Sequence, residues 1–98
     1  DLPVVLAHFG HHAAPEAADL FGFPNFHADL TPVVTAAPNV TREILSHWHE
    51  RILFGTDAPN TAVSVTAHLA WLDGFGLDDA ETAAITGANA HRLVAAVA

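Results

Sequence analysis

Val4-Val5-Leu6 and Ile52-Leu53-Phe54 are runs of consecutive apolar residues, each followed shortly by glycine, Gly10 and Gly55. Unbroken apolar runs of this length suit strands covered on both faces, as in a parallel sheet under helices. Between them, Phe26, Ala28 and Leu30 alternate with Asn25, His27 and Asp29, the period of two expected of a strand. The expected strands therefore cover about residues 3–8, 25–30 and 51–55.

The intervening stretches carry helical signals. Pro15 suits the first position of a short helix that reaches Phe21 and ends at Gly22. Asn39 is placed to cap a helix running to about His49, with Ile44, Leu45 and Trp48 as its apolar stripe. A helix is expected over 61–73, with Val65, Leu69 and Leu72 inward and Gly74 and Gly76 at its end. Asp78 and Glu81 form a capping-box pattern that opens a helix reaching about Thr86 and stopped by Gly87. A last helix runs from about Asn89 with Leu93, Val94 and Val97 inward. Strand, helix, strand, helix, strand and closing helices give an α/β class with parallel strands and right-handed crossovers. Three strands leave a sheet with two open edges.

Composition narrows the function classes. The 98 residues suffice for one small domain, yet 51% are hydrophobic, which suggests further burial against additional chain or partners. The chain opens on Asp1 without an initiating Met and enters a strand almost at once, as a fragment or processed piece would. Three arginines and no lysine face 11 acidic residues, for a formal charge of −8. Phosphate backbones and anionic membrane surfaces need cationic partners, so nucleic acid and membrane binding are not expected. No apolar run approaches a membrane span or follows a basic leader. With no cysteine, disulfides, thiolate metal sites and thiol nucleophiles are excluded, and the redox compartment stays open. Glycine-rich nucleotide loops and a serine nucleophile elbow are absent as well.

Sites in parallel α/β structures form at the carboxyl ends of strands. His8, Asp29 and Asp57 occupy that position. In a barrel the first and third of these strands flank one neighbour, so His8 and Asp57 can converge on one substrate for proton transfer or metal binding. The competing readings are a hydrogen-bonded core histidine for His8 and turn-capping carboxylates for Asp57 and Asp29. His27 alternates with Phe26 and Ala28, a position from which it can face the barrel interior. His11 and His12 read as loop histidines. His47 and His49 form a His-x-His pair, but on a helix that spacing points the rings apart, so they read as surface residues. His68 and His91 are expected to face solvent from their helices.

Four stretches carry a family resemblance. Val4 to Gly10 is a strand ending in His and a glycine turn; Pro24 to Asp29 is an Asn-led strand ending in Asp; Arg51 to Pro59 reads Arg-Ile-Leu-Phe-Gly-Thr-Asp-Ala-Pro. Ile85 to Leu93 is similar to a closing helix with Asn-Ala and Leu. Together they resemble the C-terminal part of the amidohydrolase-related barrel enzymes (amidohydrolase family 2), in the branch with 2-amino-3-carboxymuconate-semialdehyde decarboxylase. The resemblance implies a partial (β/α)8 TIM barrel, residues 1–98 being the C-terminal portion of a single barrel domain whose sixth to eighth strands these are. It implies a catalytic role for His8, a metal-ligating or proton-transferring role for Asp57, and site-shaping roles for Asp29 and His27. Asn89 reads as an anchor of the last helix.

The same resemblance implies a divalent metal, Zn²⁺ or Mn²⁺, in the intact enzyme, a small carboxylic acid substrate and a cytoplasmic location. It places the family's other ligands on the first and fifth strands, which this sequence does not contain. The chain alone is then expected to bind metal weakly or not at all, and to be an inactive fragment or subunit completed by an N-terminal barrel segment. The alternative is a non-catalytic half-barrel that associates with itself or a partner chain.

Overall fold

The computed structural model describes residues 2–7, 16, 18–30, 40–56 and 64–97, with Val97 described in its backbone only. Strands β1 (Val4–Leu6), β2 (Phe26–Asp29) and β3 (Ile52–Leu53) form one parallel sheet in the order β1-β2-β3. The strands fall inside the expected ranges but are shorter. Helix α1 (Arg42–His47) precedes β3; α2 (Val65–Asp73), α3 (Asp79–Ala83) and α4 (Asn89–Val97) follow it. Short 3₁₀ turns occupy Ala18–Gly22 and His49–Arg51. Pro15 and Asn39 lie outside the described residues.

Local sequence explains the helix starts. Thr41, not Asn39, caps α1: its hydroxyl accepts the Ile44 N–H at 3.3 Å. Ser64 does the same for α2 through the Ala67 N–H at 3.1 Å. Asp78 and Glu81 form the reciprocal capping box, with bonds of 2.7 and 3.0 Å. Gly76, at φ +67°, takes the left-handed conformation that the turn between α2 and α3 requires.

The core is Phe21, Ala28, Leu30, Val40, Leu45, Ile52, Leu72 and Ile85, with Ile44 and Trp48 packed beside it. The expected α1 stripe therefore does face inward. Two other expected faces do so only in part. On α2, Leu72 is buried as expected, but Val65 and Leu69 are exposed and His68 is buried in their place. On α4, Leu93 is half-buried, but Val94 is 65% exposed. Helix α2 is rotated so that residues four apart, 68 and 72, meet the sheet, with Trp71 and Phe75 partly buried against it.

Gly87 does not stop a helix. The chain runs from α3 through a π-helical segment, Ala84–Ala88, directly into α4. The wider winding seats Ile85 in the core and turns its carbonyl to the Phe54 N–H, at 3.0 Å. The buried Asn89 side chain then donates through Nδ2 to the carbonyls of Ile52, at 2.8 Å, and His49. Leu53 bonds inward, its carbonyl accepting the Leu30 N–H. The outer edge of β3, expected to be open, is thus covered by the closing helices.

β1 contrasts with this. Val4 and Val5 are 46% and 45% exposed, so the expected two-face burial is not found within the described residues. Its inner edge is tied to β2, through the Val4 N–H to the Asn25 carbonyl at 2.8 Å, and the Asn25 side chain holds the Leu2 carbonyl. Below the sheet, one nitrogen of Arg51 donates to the carbonyls of Phe21, Phe23 and Phe26 at 2.9–3.3 Å. The Arg92 guanidinium holds the Glu50 carbonyl and the Asn89 oxygen.

Replacing Asn89 with Ala leaves two carbonyls without their donor, one of them deep in the core, and should cost about 2–3 kcal/mol. Asp78→Ala, an exposed cap, should cost about 1 kcal/mol. Urea midpoints check the order; equal effects would mean that Asn89 acts as no more than a cap.

Candidate functional site

In a parallel sheet, residues paired in register point to the same side. The pairs Leu6–Ala28 and Ala28–Ile52 put Leu6, Ala28 and Ile52 on one face, and that face joins the core. The pairs Val5–His27 and Asp29–Leu53 put Val5, His27, Asp29 and Leu53 on the other. His27 and Asp29 therefore share a face of the central strand, their Cα atoms about 6.6 Å apart at strand rise. This is the one grouping of sequence-predicted site residues that the described fold brings together.

His27 is 5% exposed, and its Nδ1 lies 3.3 Å from the Asn25 carbonyl. Burial lowers its pKa from the ordinary 6.5, against the Asn25 carbonyl, which raises it; the positive charges of Arg51 and Arg92 lower it further. The ring is held neutral near pH 7, one nitrogen a donor and the other an acceptor. Asp29 is half-buried at the end of β2. A neutral imidazole and a carboxylate on one face can accept, hold and orient a proton or a polar substrate group.

His8 and Asp57, the expected catalytic pair, lie outside the described residues, as do His11 and His12. The His-x-His pair is split by the end of α1: His47 is the last helical residue and exposed, edge-on to Trp48, with ring centroids 4.6 Å apart. His49 is half-buried, its Nδ1 2.7 Å from the Ser46 carbonyl. His91 is exposed, as expected. His68 is not: it is 1% exposed and packs edge-on against Phe54. The spacing of 68, 71, 72 and 75 carries that signal, in competition with the apolar Val65 and Leu69. One depression, about 510 Å³, is lined along α1 by Arg42, Glu43, Ile44, Ser46, His47 and Trp48, and by no predicted site residue.

Among the described residues, no three His, Asp or Glu side chains lie close enough together to hold a metal ion. Those residues do not fit a catalytic metal centre, which takes about three protein ligands.

Because burial favours the neutral ring, His27 binds its proton less readily in the folded than in the unfolded chain. Its contribution to stability is complete above pH 6.5 and is lost as pH falls through the lowered folded-state value. His27→Gln should therefore flatten the fall in urea midpoint between pH 7 and pH 5. An unchanged slope would show that the ring titrates as it does in the unfolded chain.

Comparison with known proteins bears on the same frame. The amidohydrolase family model matches residues 1–95. No curated protein matches. Two solved structures are similar in fold. One is an amidohydrolase from Burkholderia multivorans with bound HEPES, at 21% identity and TM-score 0.71, over 96% of this chain and 45% of that one. The other is an uncharacterised TIM-barrel protein from Bordetella bronchiseptica, at 24% identity and TM-score 0.72, over 97% and 34%. The chain thus spans less than half the length of either. With the family match running through all three strands and the closing helices, the chain belongs to the amidohydrolase family.

Proposed function

We propose that this chain is the C-terminal portion of a single-domain, metal-dependent enzyme of the amidohydrolase superfamily, a cytoplasmic decarboxylase or hydrolase of a small carboxylic acid, and that it is inactive by itself. The observation that carries this reading is a family match over residues 1–95 by a chain that spans 45% and 34% of the two similar structures. The strand order β1-β2-β3 with helical closure is consistent with the last three units of a barrel.

In this reading the reaction takes place over the carboxyl ends of the strands. His8, at the end of the first apolar run, takes up or delivers a proton. Asp57, at the exit of the third, is the residue this chain contributes to a metal site or to proton transfer. His27 and Asp29 line the central strand between them: the neutral imidazole orients a polar group, and the carboxylate shapes the site and its charge. A divalent ion, Zn²⁺ or Mn²⁺, supplies Lewis-acid charge in the whole enzyme. Its remaining ligands come from outside this sequence. Decarboxylation and hydrolysis share this framework, and the choice between them rests on parts of the barrel beyond it.

A second reading keeps the fold and drops the chemistry: a half-barrel module that pairs with itself or another chain. The exposure of Leu2, at 80%, and of Val4 and Val5 on the β1 side favours association of this kind. An in-frame upstream sequence with an early His-x-His selects the enzyme; a start codon close to Asp1 selects the module.

In the full-length enzyme, His8→Ala and Asp57→Ala should each lower kcat by about 100-fold or more; full turnover in both would remove the assignment. Titration calorimetry of the 98-residue chain with Zn²⁺ or Mn²⁺ should show no one-to-one complex at micromolar concentration. A tight complex would mean that His8, His11 and His12 assemble a site of their own.

A further inference from the structure

His68 carries a polar atom that neither the fold nor the proposed chemistry uses. It sits one turn into α2, 1% exposed, with the Phe54 ring perpendicular to it at 6.4 Å. Its backbone N–H and its ring Nδ1 both meet the Ser64 carbonyl, each at 3.0 Å. A carbonyl only accepts, so Nδ1 carries the proton. A neutral imidazole has one N–H, which leaves Nε2 as a bare lone pair. That atom is fully covered and meets no partner among the described residues.

A second ring proton does not resolve this, because an N–H at Nε2 would itself need a buried acceptor. The chain's three cations do not resolve it either: Arg51 and Arg92 are bonded to carbonyls below the sheet, and Arg42 is exposed on α1. The matching chemistry is a small neutral donor, an O–H or N–H.

We propose that His68 is a positioning residue that accepts, at Nε2, a hydrogen bond from a buried neutral donor, and that this bond holds the ring edge-on against Phe54, at the carboxyl end of β3. The donor is a bound water or a neutral group of the protein. Phe54 and His68 stand two residues before Thr56 and four after Ser64, the described residues on either side of the segment that contains Asp57. A ring held against Phe54 in this way sets the spacing of that segment's ends. This consequence for the site rests on the reading of Asp57 given above; the hydrogen bond itself does not.

The test uses the labelled 98-residue chain and reads no activity, so failure of the catalytic reading leaves it intact. Long-range ¹⁵N–¹H spectra should show His68 as the Nδ1–H tautomer, with Nε2 shifted from its free value in the direction of an accepted hydrogen bond. A cross-peak from the ring protons to water assigns the donor as water; one to an exchangeable protein proton assigns it to the chain. His68→Phe and His68→Asn should lower the urea midpoint. His68→Gln, whose oxygen reaches the place of Nε2, should recover part of the loss. An Nε2–H tautomer, or a His68→Phe midpoint equal to or above that of the parent chain, overturns the proposal. The spectra decide it even where a variant fails to fold.

Discussion

The Asn89 side chain, donating to the Ile52 and His49 carbonyls, holds the closing helices to the sheet. β3 is a two-residue strand with one neighbour, so its far edge must find other partners or be left as exposed backbone. Asn89 supplies the donor for Ile52, and the Ile85 carbonyl supplies the acceptor for Phe54. The π-helical segment between α3 and α4 is what allows both at once. It places the side chain of Ile85 in the core and its carbonyl toward the strand, which a regular helical turn closing on itself would not. The arginine below the sheet extends the same logic. Arg92 bonds the Asn89 oxygen and so fixes the orientation of the amide that does the bridging.

The sheet is therefore asymmetric. β3 is closed by the chain's own C-terminal helices, whereas β1 presents Val4 and Val5 with substantial exposure. β2, between the two, is the strand on which both faces are covered, and it carries His27 and Asp29. Burial, aided by the positive charges of Arg51 and Arg92 and opposed by the Asn25 carbonyl, keeps that ring neutral where an exposed histidine would be partly charged. A site built on this face has a fixed tautomer problem to solve rather than a free charge to screen, which suits orientation of a substrate or a proton more than simple electrostatic attraction.

The acidic balance of the chain sits easily with this arrangement. Glu81 closes the capping box and also accepts the Ser46 hydroxyl, linking α3 to α1 and lowering its own pKa chiefly through that bond. Thus one of the acidic residues ties the helices on the far side of β3 to the helix that leads into it.

The sequence by itself determined the element order, the parallel α/β class, the capping box at Asp78 and Glu81, and the family, because each rests on short-range pattern: apolar runs, residues three apart, a strand ending in Gly-Thr-Asp. It also placed Asn89 as an anchor and put His27 and Asp29 on a common strand face through their spacing of two. Tertiary structure alone decided which residues join Leu72 on the buried face of α2, since Val65 and Leu69 compete with His68 in the pattern and only the position of Phe54 and the core settles the rotation. It decided that Gly87 continues a helix, because the pull of Ile85 into the core and the unpaired edge of β3 are contacts across more than 30 residues, which no local signal records. It decided, finally, that β3 has a covered edge and β1 an exposed one: backbone groups look alike in sequence, and only their neighbours in space show which of them are satisfied.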